Sequence, residues 1–86
     1  MEYDLVRVVW KDIYGAEGSW FSFEEAEAME PAVVETVGWA IVDNDAFLTI
    51  SSSIDSLSTF CGSITTIPKG CVMAAYSLTS AQTPRT

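Results

Sequence analysis

The run Ile67-Pro68-Lys69-Gly70-Cys71-Val72 constrains the fold of this chain most. It lies between two β-rich stretches, Ile64–Ile67 and Cys71–Leu78. Proline has no amide hydrogen to donate to a sheet ladder, and glycine reaches backbone angles closed to other residues. The run therefore predicts a tight corner between two short final strands, which is how small, strongly bent β-barrels finish.

The rest of the chain fits that ending. Leu5–Trp10 reads as a strand rich in valine. Lys11–Ser19 is a loop punctuated by Gly15 and Gly18. Ser22 followed by Glu25 is a capping-box pattern, and Phe23, Ala26 and Met29 recur on one face of a short helix over Phe23–Met29. Pro31 ends that helix, because the residue before a proline is pushed out of the helical region. Val33–Val42 is a long strand with large residues at odd positions (Val37, Trp39, Ile41) and smaller ones at even positions. That alternation predicts Trp39 in the core. Gly38, in mid-strand, predicts a bend or a close approach of another backbone. Asp43-Asn44-Asp45 is a turn, Ala46–Ser53 a strand, and Asp55–Gly62 a loop before the last two strands. The expected organisation is a single domain over residues 1–78 and a polar, disordered tail over 79–86.

Composition excludes several functions. The chain has 86 residues and a net charge of −8, with Arg7, Lys11, Lys69 and Arg85 as its scattered cations. Binding to DNA or RNA over a broad face needs clustered Lys or Arg, so DNA is excluded as a partner and only a local RNA contact remains open. Histidine, the usual general base near neutral pH, is absent. Cys61 and Cys71, ten apart, match no zinc spacing, and neither Gly15 nor Gly18 begins a phosphate loop. The expectation is a protein without catalytic activity, cofactor or metal. Met1-Glu2-Tyr3-Asp4 carries neither a basic region nor an apolar run, and no stretch approaches the ~20 apolar residues of a membrane span. Those features predict no membrane association, a cytoplasmic location and free thiols at Cys61 and Cys71. A domain this small buries only roughly 60% of its unfolded surface. Nearly half of its residues are nonetheless hydrophobic, at 49%, so some apolar surface is expected to be shared with another copy.

The order of elements, strand, helix, then four strands, fits a mainly β, five-stranded, strongly bent barrel of the SH3-like or Sm-like kind. The helix falls between the first and second strands. Trp10-Lys11-Asp12, Val37-Gly38-Trp39, Leu48-Thr49-Ile50 and Ile67-Pro68-Lys69-Gly70-Cys71-Val72 resemble, over Val6–Leu78, a family of small phage proteins with an Sm-like fold, those of cyanophage origin in particular. That resemblance implies self-assembly into a homo-oligomeric ring inside an infected host cell, with the fourth strand of one copy pairing with the fifth of the next. It also implies RNA contacts at Asp45, Lys69 and Gly70, where Lys69-Gly70 is similar to the Arg-Gly of the second Sm motif. The match is incomplete. Ala46 has no ring to stack on a base, Leu48 cannot hydrogen-bond one, and lysine lacks arginine's planar fork. The resulting expectation is a ring-forming scaffold with weak RNA binding or a protein partner. The other reading is an SH3-like adaptor that docks through Trp10, Trp20 or Trp39. Trp20, in a loop where no strand pattern demands a large ring, and Val72, at the start of the last strand, are the interface candidates.

Overall fold

A computed structural model describes residues 3–78. Its strands are β1 (Leu5–Asp12), β2 (Ala32–Asp43), β3 (Phe47–Ile54), β4 (Cys61–Pro68) and β5 (Val72–Ser77), with a helix α1 (Phe23–Glu27) between β1 and β2. A 3-10 turn, Lys69–Cys71, joins β4 to β5 at the predicted corner. All five strands pair antiparallel in one sheet, in the order β4-β3-β2-β1-β5. The chain is thus mainly β, with its short helix where the sequence places it. The sheet is bent but not closed into a barrel: β4 and β5 remain its two edges. The tail over 79–86 lies outside the described residues.

Three features bend the sheet. Bulges interrupt the pairing at Ile41 on β2 and at Met73 on β5, opposite Val9 and Trp10, and a bulge adds local twist. Gly38 supplies the third. A methyl group there would stand 2.5 Å from Ile50 Cγ2 and 2.5 Å from the Ser51 carbonyl oxygen. The close approach predicted for Gly38 is present. Gly70 is different: its φ is not positive, and a methyl group there would meet nothing within 4 Å. The corner turns on the rigidity of Pro68 and the 3-10 turn, and it does not use glycine's freedom.

The core lies on the opposite face from the one expected. Val6, Val8, Leu48, Ile50 and Ile67 are its buried residues, with Trp10, Ala40, Cys71 and Val72 packed against them. Val6 pairs with Gly38 and Val8 with Thr36, so the even, small side chains of β2 face the core. Trp39 shares the other face with Glu35 and Val37 and is only half-buried, so its predicted place in the core is corrected. The inner side of a bent sheet is crowded. Where Ile50 and the Ser51 carbonyl press on β2, only small side chains fit. Trp10 faces inward and donates its indole Nε1–H to Thr36 Oγ1 at 3.0 Å. Ser51 is fully buried, and its hydroxyl lies 2.8 Å and 2.7 Å from the carbonyls of Ser53 and Gly62.

The helix is shorter than predicted and buries none of its residues, and Phe23 is 88% exposed. The capping box forms, with Ser22 Oγ accepting from the Glu25 amide. It starts the helix, but nothing packs against a face to extend it. β4 begins at Cys61, earlier than expected, because Cys61 pairs with Ile54 and Gly62 with Ser53.

Candidate functional site

Two connections meet at one end of the sheet. In the first, between β2 and β3, Asn44 Oδ1 accepts from the amides of Ala46 and Phe47, both at 2.9 Å, the self-bonding that makes Asn a turn residue. In the second, Lys69 opens the 3-10 turn. The Lys69 amide donates to the Ala46 carbonyl at 2.9 Å, and Lys69 Nζ donates to Asp43 Oδ1 at 2.6 Å. The candidate RNA residues Asp45, Lys69 and Gly70 are therefore neighbours in space, although they are far apart in sequence.

Their chemistry suits a phosphate poorly. Lys69 is not a free cation, because Asp43 neutralises it. Asp45 stands exposed two residues from Asp43, so the corner carries an excess of negative charge. Within the predicted Asp43-Asn44-Asp45 turn, the bonding side chain is that of Asn44. A half-open cleft of about 340 Å³ extends from Asp43 past Ala40 and Val6 to Asp4 and Ser77, and its charged members are again acidic. Arg7, on the outer face, bonds Glu35 and lies 4.5 Å from the centre of the Tyr76 ring. Among the described residues no group of three His, Cys, Asp or Glu side chains could hold a metal ion, and no helix is long and apolar enough to cross a membrane. Cys61 and Cys71 are free thiols.

The interface candidates separate. Trp20 is 93% exposed and does not staple its loop to the helix. Val72 packs on the core opposite Trp10, and its amide bonds the Lys69 carbonyl within the corner. Trp10 and Trp39 are tied into the sheet, and Trp20 is the tryptophan that stands free of it.

Asp55 was missed as a structural residue. Its Oδ1 accepts from the amides of Thr59 and Phe60, at 2.6 Å and 2.8 Å, and closes the β3–β4 loop. The Phe60 amide, with lesser help from other backbone amides of the loop, holds the Asp55 carboxyl below its ordinary value of 3.8 against a smaller opposing effect of desolvation. Because the folded value is the lower one, the closure is complete above the unfolded value of about 4 and is lost as pH falls through the folded value. Protection of the Thr59 and Phe60 amides, measured against the exchange rate of an open chain at the same pH, is expected to fall below about pH 4 and to be lost at neutral pH in Asp55→Ala. Unchanged protection in Asp55→Ala would remove the carboxylate from that role.

No protein-family profile, curated protein or solved structure matches the chain.

Proposed function

We propose that this protein is a non-enzymatic, Sm-like assembly module, of the kind found among small phage proteins. Its β4 and β5 edges would pair between copies to close a homo-oligomeric ring of roughly five to seven subunits, a heterologous contact that closes by rotation. The observation that carries this reading is the pair of free edges at opposite ends of one bent sheet. On β5, Leu78 donates to the Leu5 carbonyl, so strand alternation turns the amides of Ala75 and Ser77 outward. On β4, Lys69 donates to Ala46, so Thr66 and the nitrogen of Pro68 face outward. Pro68 thus sits where its missing hydrogen is harmless, and pairing from β4 would begin at Thr66. Free edges invite pairing, and a domain with five buried apolar residues gains from a shared interface.

Light scattering at micromolar concentration is expected to give a closed oligomer. Ala75→Pro, which removes an outward amide while sparing the β1 ladder, and Ile64→Lys, beside the other edge, are each expected to lower the mass to the monomer. A monomeric wild-type protein would end the proposal.

RNA binding at Asp45, Lys69 and Gly70 is expected to be weak, because a phosphate must displace Asp43 from Lys69 beside a second carboxylate. Oligo-uridine is expected to bind no tighter than the non-specific range, on the order of 10⁻⁴ to 10⁻⁶ M at physiological salt. Submicromolar binding abolished by Lys69→Ala would overturn that expectation.

A further inference from the structure

The connection between β1 and β2 carries apolar surface that the fold leaves unused. Ile13, Trp20 and Phe23 are 87%, 93% and 88% exposed. Large side chains exposed together mark interaction sites more often than ordinary surface. The segment is also ordered locally. Ser22 and Glu25 bond each other's amides in the capping box, and the Phe21 ring lies against Gly18, whose φ of +113° only glycine adopts readily. Trp20 and Phe23 therefore flank a fixed helix cap, and the backbone that carries them has little freedom left to lose on docking.

Charge selects the partner. Asp12, Glu17, Glu24, Glu25, Glu27 and Glu30 lie in or beside this segment, and no Lys or Arg occurs between Asp12 and Pro68. A second copy would bring the same carboxylates and the same net charge of −8. Nucleic acid and anionic lipid would be repelled as well. Two exposed aromatics in an acidic segment fit an apolar groove rimmed by cations. We infer that residues 13–31 form a docking arm for a basic protein partner, with Trp20 and Phe23 as anchors and the surrounding glutamates steering the approach. The arm is separate from the β4 and β5 edges, so docking does not depend on the ring.

The probe is a helical peptide with leucine on one face and lysine on the other, titrated against the full chain by calorimetry. Two control peptides replace its lysines with glutamate or its leucines with glycine. The leucine–lysine peptide is expected to bind at low salt and to weaken as salt rises. Trp20→Ala with Phe23→Ala is expected to weaken it at least about tenfold, as for anchor residues, while Val33→Thr with Val37→Thr, on the sheet face, leaves it unchanged. The arm positions are exposed, so circular dichroism should show the fold intact. Equal binding of the glutamate or glycine control would overturn the inference, as would binding indifferent to Trp20 and Phe23. It would also fail if the arm variant lowered the oligomer mass and left peptide binding unchanged, because the arm would then serve a second copy.

Discussion

Gly38→Val is expected to leave no cooperatively folded protein, and Gly38→Ala to destabilise the fold by about 1–3 kcal/mol. Intrinsic preference points the other way, since alanine in a strand is favoured over glycine by roughly 0.5–1 kcal/mol. Geometry decides the sign. The added methyl would stand 2.5 Å from both Ile50 Cγ2 and the Ser51 carbonyl oxygen. Ile50 is fully buried and has little space to turn into. The Ser51 carbonyl is backbone of the paired strand, so relief requires β3 to move off β2. Valine brings two further methyl groups into the same contact. Gly70→Ala is the control, because its methyl meets open space at an ordinary φ, and it is expected to change stability by no more than about 0.5 kcal/mol. Urea unfolding followed by tryptophan fluorescence ranks these variants. A Gly38→Ala protein as stable as wild type would contradict the close approach of β2 and β3.

The fate of Gly38 was legible because a glycine inside an apolar strand has few physical reasons to be there. The corner at Pro68 was legible for a similar reason, since proline is confined to edges and turns. The helix cap could be read from Ser22 and Glu25 alone, because capping is local chemistry. The facing of β2 was misread because side-chain size stood in for burial. The better signal was charge. Glu35 lies on the same face of β2 as Trp39, and Arg7 and Lys11 lie on the matching face of β1, opposite Val37 and Val33. A face that carries all three is turned to water or to a partner, whatever the size of its other residues. The candidate corner was legible only in part. The motif comparison places Asp45, Lys69 and Gly70 there, but the partner that neutralises Lys69 is 26 residues away and depends on the two connections meeting. No local pattern carries that contact. Asp55 is intermediate: an Asp at the head of a polar loop suggests self-bonding, but which amides it captures depends on the path of the loop.

The second large effect follows from the corrected core. Ile50→Ala and Ile67→Ala are each expected to lower stability by about 2–5 kcal/mol, and Trp39→Ala by less than either. The side-chain volumes argue for the reverse order, since tryptophan loses more atoms. Ile50 and Ile67, however, are fully buried on the inner face, on the neighbouring strands β3 and β4. A cavity at either position is enclosed by a packed sheet that cannot collapse around it without straining the Gly38 contact. Trp39 stands half-buried on the outer face, where water fills the space its ring leaves. Small domains tend to hold only the lower part of the usual 5–15 kcal/mol, so either isoleucine variant is expected to be largely unfolded at body temperature. Denaturation at low protein concentration, where assembly contributes least, makes the comparison clean. If Trp39→Ala is the most damaging of the three there, the odd face of β2 is the true core and the register of β1 on β2 must be redrawn. If its effect instead grows with protein concentration while those of the isoleucine variants do not, the outer face around Trp39 is buried between copies.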